Sequence, residues 1–496
     1  MPSTNNTKQA AWVAVGSLCS YSITLVSSMI LSRYFNKADY GTYKQVMYVY
    51  HTLLTVFTLG LPRAFSYFLP RVPDEQARSL ISKLTKLFFI LGLAFSLVLF
   101  FFSPLIARWL NNPELSNALK LFAIVPALLL PTLGLDGIMA TYKKTQFLAI
   151  YKTVTSLLTL LCVALPVMVF NLGYMDAIKG FIVGSAIQCV LALILKNHPV
   201  RSFGKERCGV TFKEIFQFSI PLMVASLWGI LINSTDQFFI SRYFGNEVFA
   251  DFSNGAIEFP VATLLIGAST TVLTPLFSRQ AKEGGDLSKT ILPVWSSNFK
   301  KSCMILYPML IFCIFEAKPI MTLLYGAQYA NSGNYFIIKM MTNFVKIIPY
   351  AAILIAIGSV KVYSRVMMFV FLGLAPLEYV STLVFPDNPY ILVIIHTLFV
   401  MTQAFIYILY VKNFMKVKLS DIIPFQVIFK ILCISVVCVG ALLIFKKMVI
   451  MQSILLMLLI EMSLFGLLFI GLSKLFHIDY LQLIKPLLSN GKQKSN

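Results

Sequence analysis

One apolar stretch of the chain carries polar residues with the spacing of a helix face. Asn343, Lys346 and Tyr350 follow Lys339 at 4, 7 and 11 positions. At about 100° per residue, the four side chains share one face of a straight helix, with an amide between two ammonium groups. A charge at the centre of a bilayer costs roughly 2.5–3.5 kcal/mol, so this face predicts a hydrated cavity rather than contact with lipid.

Polar residues recur at helical spacing in three further apolar segments. These segments carry Ser17, Tyr21, Thr24 and Ser28; Lys44, Tyr48, His51, Thr55, Thr58 and Pro62; and Ser226, Asn233, Asp236 and Gln237. The candidates for substrate binding are Lys346, Lys339, Lys44, Arg63, Asn343 and Arg242, and those for ion coupling or charge balance are Asp236, Glu258 and Asp136. The alternatives are that the hydroxyls only pack against neighbouring helices, and that Lys44, Lys339 and Arg242 extend to the headgroups.

The sequence lacks the signals that would predict several classes of function. The net charge is +21, but the basic residues are spread through alternate loops instead of forming one face with aromatic residues, which disfavours nucleic-acid binding. No glycine-rich nucleotide loop and no zinc-type cysteine or histidine spacing occurs, so no metal, cofactor or catalytic residue is predicted. The loops are too short for a catalytic domain, and we do not expect an enzyme.

The composition places these residues in membrane helices. Of 496 residues, 58% are hydrophobic and only 12% are charged, and the mean hydropathy is +0.80. Soluble domains contain about 25% charged residues, whereas a spanning helix needs about 20 consecutive apolar ones. The sequence therefore predicts an all-α integral membrane protein.

Apolar runs predict about fourteen transmembrane helices. They cover Gln9–Leu31, Lys44–Leu69, Leu84–Ala107, Leu119–Met139, Phe147–Phe170, Ala177–Leu195, Phe218–Ile240, Phe252–Phe277, Cys303–Tyr325, Tyr335–Ile357, Val366–Phe385, Tyr390–Val411, Ile423–Phe445 and Met451–Leu472. With the N-terminus inside, about 27 basic residues fall in inside segments and about 8 in outside loops, as the positive-inside rule requires. Both termini are therefore expected in the cytoplasm.

An internal repeat divides the chain. Leu31-Ser32-Arg33-Tyr34-Phe35 and Ile240-Ser241-Arg242-Tyr243-Phe244 each end an apolar segment, the first and the seventh. Because six is an even number of crossings, the two halves have the same orientation, an arrangement found in transporters. We predict two parallel six-helix lobes, residues 1–200 and 201–412, followed by two C-terminal helices and a tail, residues 413–496.

The N-terminal motifs resemble those of the polysaccharide flippases of the multidrug/oligosaccharidyl-lipid/polysaccharide (MOP) exporter superfamily. The resemblance rests on Leu31-Ser32-Arg33-Tyr34-Phe35-Asn36-Lys37-Ala38-Asp39-Tyr40-Gly41 and on Leu59-Gly60-Leu61-Pro62-Arg63. It implies a bacterial cytoplasmic-membrane flippase that moves undecaprenyl-pyrophosphate-linked oligosaccharides, such as O-antigen units of lipopolysaccharide, by alternating access. Membrane lipids and the polysaccharide polymerase machinery are its implied partners.

Two rival functions are considered. A drug or organic-cation antiporter of the same superfamily needs an acidic pocket, which the excess of Lys44, Lys339 and Lys346 over Asp236 and Glu258 disfavours. A membrane polysaccharide polymerase or ligase needs a large outer loop, and no predicted outside loop is large. Lysine supplies a point charge for pyrophosphate without fixed geometry, which agrees with a flippase.

Overall fold

A computed structural model describes residues 3–204, 206–283, 287–449, 451–478 and 480. It is 86% helical, with no strand in the described part. The first ten helices are α1 Ser3–Tyr34, α2 Lys37–Thr58, α3 Pro62–Phe68, α4 Asp74–Trp109, α5 Glu114–Phe122, α6 Val125–Leu129, α7 Leu135–Thr141, α8 Thr145–Phe170, α9 Tyr174–Asn197 and α10 Phe212–Gly255. The others are α11 Pro260–Glu283, α12 Leu287–Thr290, α13 Leu292–Phe315, α14 Ala317–Tyr325, α15 Ser332–Met341, α16 Asn343–Lys346, α17 Tyr350–Ala356, α18 Val360–Val384, α19 Tyr390–Met415, α20 Leu419–Ile422, α21 Phe425–Met448 and α22 Ile454–Leu475.

The all-α membrane fold is confirmed. Within the described ranges, 12 helical stretches are long and apolar enough to cross a membrane. The other two predicted spans correspond to α11 and to the interrupted segment of residues 332–356. Apolar runs reveal such spans because each residue facing lipid contributes separately to the transfer free energy.

Several predicted helices are broken rather than straight. The predicted helix Lys44–Leu69 begins earlier, at Lys37, and is interrupted after Thr58, where Leu59 and Gly60 adopt positive φ angles of 48° and 71°. A Cβ atom on Gly60 would lie 2.5 Å from the carbonyl oxygen of Ser219, so glycine also permits a close approach of two chain segments. The prediction of one continuous helix that carries the polar residues from Lys44 to Pro62 on a single face is therefore wrong.

Backbone contacts divide the chain into two compact units. The first comprises Met1–Ser253 with Glu378–Pro389, and the second comprises Asn254–Leu377 with Tyr390–Asn496. In the first unit, α1 packs against α8, and α8 packs against α9. In the second, α21 packs against α13 and α22. The predicted lobes of residues 1–200 and 201–412 and the C-terminal part 413–496 were defined by sequence repeats, and they remain a prediction.

Lys196 is a buried lysine that the sequence analysis missed. Predicted as outside the helix, it lies in α9 with 1% of its surface exposed. Its ammonium donates hydrogen bonds to the carbonyl oxygens of Pro131 (2.7 Å) and Leu133 (2.6 Å) and lies 4.9 Å from the centroid of the Phe65 ring. These carbonyls end the short 3₁₀ turn between α6 and α7, so one side chain satisfies acceptors at an interrupted helix.

Candidate functional site

Lys44 joins the two predicted polar stripes of the first unit. It lies on α2, and its ammonium donates to the hydroxyl of Ser28 on α1 at 3.1 Å. The same ammonium lies 5.2 Å from the centroid of the Tyr40 ring. In the described part of the chain, no carboxylate lies within ion-pair distance of this half-buried cation. Lys44 is thus a cation held only by neutral groups.

Other polar residues of α2 have structural partners. The hydroxyl of Tyr48 donates to the carbonyl oxygen of Ser234 on α10 at 3.1 Å, and the Thr52 hydroxyl lies 3.3 Å from that of Ser234. Gln45 donates to Ser241 at 2.8 Å and accepts from Asn112 at 2.6 Å. These groups hold helices together, which is the packing role that polar residues commonly have in membranes.

The residues that follow the two copies of the sequence repeat contact each other within the first unit. Asn246, just after the second copy, donates to the carbonyl oxygen of Ala38 at 3.2 Å. Gly41 packs so closely that a Cβ atom there would lie 2.0 Å from the carbonyl oxygen of Asn246. The motif that carries the family resemblance therefore builds a tight helix junction.

A hydroxyl-lined cavity of about 440 Å³ lies beside α1 and α8. Its hydroxyl-bearing residues include Ser17, Ser20, Tyr21, Thr24, Thr155 and Ser156. Asp136 also lines it and forms an ion pair of 2.7 Å with Lys152, whose ammonium is 3.5 Å from the Ser17 hydroxyl. The structure thus brings the stripe of α1 together with Asp136, and it gives that acid a basic partner.

Asp236 and Glu258 occupy different environments. Asp236 is completely buried in α10, and its carboxylate accepts a hydrogen bond from the backbone N–H of Gln237 at 2.9 Å. Glu258 was predicted on a helix, but it lies in the connection before α11, is exposed, and is 3.5 Å from the Thr263 hydroxyl. Helix placement failed there because α10 ends at Gly255 and α11 begins only at Pro260, which disfavours helical geometry at the preceding Phe259.

The segment with Lys339 and Lys346 is not one straight helix. Lys339 lies in α15, and Asn343 and Lys346 are the first and last residues of the four-residue helix α16. The chain is non-helical from Ile347 to Pro349, because Pro349 has no amide hydrogen to continue the ladder. The argument that these residues share a continuous face is therefore wrong. Broken helices occur at membrane depth where they are buried in protein or line a cavity, so the segment remains a candidate site.

The remaining cations lie near breaks in the helices, Arg242 being three residues before the non-helical Gly245 of α10. Arg242 donates to the carbonyl oxygen of Trp109 at 2.8 Å, a contact that fixes the loop after α4. Arg63 is exposed on the short helix α3, next to the break after α2. Within the first unit the structure therefore groups Lys44 with the stripe of α1 but gives Arg242 a structural contact of its own.

Sequence analysis also missed a buried charge cluster in the second unit. The ammonium of Lys446 lies 2.7 Å from a carboxylate oxygen of Glu316 and 3.6 Å from one of Glu461. Both carboxylates are completely buried. Lys430, on the same helix as Lys446, is not part of the cluster and donates to the carbonyl oxygen of Phe476 at 3.2 Å. Glu316 lies between α13 and α14, 130 residues before Lys446, so no local spacing signals this cluster.

The comparisons with known proteins decide the family. A model of the polysaccharide biosynthesis protein family (Polysacc_synt_3) matches residues 30–334, more than half of the chain. The chain belongs to this family. The match begins at the first copy of the repeat and extends into α15, so the family region includes Lys44, Arg63, Asp236 and Arg242.

Solved structures share the fold of this family member. The lipid II flippase MurJ in an inward closed conformation is 14% identical and has a TM-score of 0.73, with coverage of 95% of this chain and 99% of that chain. An inward-facing multidrug resistance MATE family transporter of the MOP superfamily is 13% identical and has a TM-score of 0.65. The match covers 80% of this chain and 94% of the transporter. A MOP superfamily transporter from Pyrococcus furiosus is 13% identical and has a TM-score of 0.59. Its binding pocket is described as having reverse polarity, and the match covers 83% of this chain and 95% of that transporter.

The polysaccharide biosynthesis family that the N-terminal motifs indicated is thereby confirmed, and the fold is the one shared by the MurJ and MATE structures. The search of curated protein sequences finds no significant match. The identities to the solved structures are 14% or lower, so those structures establish the shared fold.

Proposed function

We propose that this protein is a flippase that moves an undecaprenyl-pyrophosphate-linked oligosaccharide across the cytoplasmic membrane by alternating access. The observation that carries the proposal is Lys44, whose ammonium is bonded to the Ser28 hydroxyl and has no carboxylate partner among the described residues. A cation in a membrane helix is costly unless it meets an anion or water. A pyrophosphate supplies that anion, whereas an organic cation would be repelled.

The oligosaccharide part of the substrate needs different chemistry. Sugars present many hydroxyl groups, which exchange hydrogen bonds with serine, threonine and tyrosine side chains. The cavity beside α1 offers such groups, among them Ser17 and Tyr21, together with the Asp136–Lys152 ion pair. We assign this cavity to sugar binding, and the substrate's polyprenyl tail would remain in lipid.

Further cations are proposed to contact the pyrophosphate during the cycle. Lys346 and Lys339, with Asn343 between them, belong to the broken segment of the second unit. Arg63 and Arg242 are proposed contacts near helix breaks of the first unit. We further propose that Asp236, Glu258 and Asp136 provide charge balance or ion coupling, and that transported units pass to the polysaccharide polymerase machinery.

Replacement of Lys44 tests the function directly. In proteoliposomes given a fluorescent undecaprenyl-pyrophosphate-linked oligosaccharide, Lys44→Gln is expected to raise KM about 10–150-fold, because a charge-assisted contact of about 1.5–3 kcal/mol is lost. Lys44→Arg retains the charge and most of the transport. Lys179→Gln is the matched control, since Lys179 is an exposed lysine of the same unit.

Two results would refute the proposal. One is unchanged transport of the lipid-linked oligosaccharide by Lys44→Gln at equal protein level. The other is export of an organic cation by the wild-type protein without any movement of the lipid-linked substrate, which would favour the antiporter.

The proposed topology places both termini in the cytoplasm. Because the basic residues alternate between successive connections, a reporter fused after Asn111 is expected outside and one fused after Lys205 inside. Lys205 itself lies outside the described residues. Activity of both fusions on the same side would contradict this orientation.

A further inference from the structure

A second polar cavity, of about 500 Å³, lies at the start of α4 in the first unit. Its charged and hydroxyl-bearing lining consists of Arg78, Ser79, Ser82, Lys83, Lys86 and Arg207. Four of these six residues are cations, and no carboxylate is among the lining residues of the described chain. The cavity therefore concentrates positive charge with hydrogen-bond donors.

The cavity wall is held by hydrogen bonds rather than formed by loose surface lysines. The chain before α10 is fixed to α4 because Cys208 N–H donates to the Ser79 hydroxyl at 3.1 Å and Gly209 N–H donates to the Gln76 side chain at 3.2 Å. Lys83 donates to the carbonyl oxygen of Val210 at 2.5 Å and lies 4.5 Å from the centroid of the Phe212 ring. These contacts position Arg207 opposite the first turns of α4.

The length of α4 places this cavity at the level of lipid headgroups. The helix has 36 residues, which corresponds to about 54 Å, whereas the hydrocarbon core is about 30 Å thick. Residues 87–107 contain no charged side chain, so they fit the hydrocarbon. Lys86 directly precedes this run, and Arg78 lies about two turns further out.

The cations of the cavity have no acidic partner in the described chain. Asp74, Glu75 and Glu206 are nearby in sequence, but none lies within ion-pair distance of Arg78 or Arg207. Guanidinium groups match phosphate oxygens in a bidentate geometry, and lysines add point charge. The ligand chemistry that fits is a phosphate group.

We propose that this cavity binds the phosphate group of a lipid headgroup at the membrane surface. The site is separate from Lys44 and does not depend on the proposed transport function. Two lipids carry this chemistry: an anionic phospholipid, and a polyprenyl diphosphate that arrives for transport. In both cases the acyl or prenyl chain remains in the bilayer beside the apolar part of α4.

Binding to the purified full-length chain in a neutral detergent tests the proposal. The probes are short-chain phosphatidic acid, geranyl diphosphate, inorganic pyrophosphate and short-chain phosphatidylcholine. The Arg78→Gln/Arg207→Gln variant is expected to weaken binding of a phosphate-bearing lipid at least about tenfold, because two charge-assisted contacts are lost. Lys83 is left unchanged because it holds the wall of the cavity.

The Lys143→Gln/Lys144→Gln variant is the matched control, since it removes the same charge from basic residues outside the cavity.

The pattern of loss identifies the lipid. If phosphatidic acid binding is lost in Arg78→Gln/Arg207→Gln and not in the control, the cavity is a phospholipid site. If the loss is confined to geranyl diphosphate, the cavity is a site for the lipid carrier. Equal weakening by both variants, or no weakening, overturns the proposal. Inorganic pyrophosphate binding as tightly as either lipid would show a site for soluble phosphate and overturn the lipid assignment. None of these binding outcomes depends on transport. Failure of the flippase proposal can therefore be distinguished from failure of the lipid-site proposal.

Discussion

Replacement of Lys446 by methionine is expected to lower the free energy of unfolding by about 3–5 kcal/mol, because it breaks a buried ion pair and leaves a charge uncompensated. Glu316 and Glu461 are both completely buried, and both carboxylates face the Lys446 ammonium, at 2.7 and 3.6 Å. Methionine retains the length of the side chain but removes the positive charge. Two acidic groups would then remain together in a low-dielectric environment.

Thermal unfolding of the detergent-purified protein measures this effect. Lys447→Met is the matched control, since the neighbouring lysine is exposed and has no ion pair in the described structure. The triple variant Lys446→Met/Glu316→Gln/Glu461→Gln is expected to recover much of the loss, because it removes all three charges. Equal midpoints for the two single lysine variants would contradict the structural role of this cluster.

Substitution of Gly41 by alanine is expected to lower the free energy of unfolding by about 1–3 kcal/mol through overpacking. The added Cβ atom would lie 2.0 Å from the carbonyl oxygen of Asn246 and 2.6 Å from its carbonyl carbon. These are backbone atoms, so no side-chain rotation relieves the contact. The start of α2 and the segment around Asn246 would have to separate, and the Asn246 hydrogen bond to Ala38 would be lost.

Gly466→Ala is the matched control, because no atom lies within 4 Å of its added Cβ position. It should leave the unfolding midpoint nearly unchanged. Gly41→Ala combined with Asn246→Gly tests the cause: since the clash is with backbone, removal of the Asn246 side chain should not restore stability. Recovery in this double variant, or a neutral Gly41→Ala, would disprove the packing argument.

The sequence predicted the all-α membrane fold and the protein family, and it did so for a physical reason. Burial in lipid penalises each polar residue separately, so spans such as Phe147–Phe170, the predicted fifth helix, are visible as local composition, and α8 ends at the predicted residue. The repeat was also visible, because Ser32 and Ser241 are both completely buried at helix junctions with little freedom to vary. Helix interruptions were missed at Gly60 and at Thr342, because apolar composition continues across both.

The sequence alone placed Lys44 in a membrane segment and put Lys196 and Lys446 just beyond the ends of predicted spans, whereas the tertiary structure decided which of these cations are compensated. Lys196 is satisfied by two carbonyl oxygens, and Lys446 is paired with two glutamates. Among the described residues, Lys44 meets only a hydroxyl and an aromatic ring. All three are lysines in apolar surroundings, and they cannot be distinguished by spacing, since Ser28, Pro131 and Glu316 lie 16, 65 and 130 residues from the lysines they contact. Helix packing brings those distant partners within hydrogen-bond distance, and so determines where an unpaired positive charge remains for a substrate.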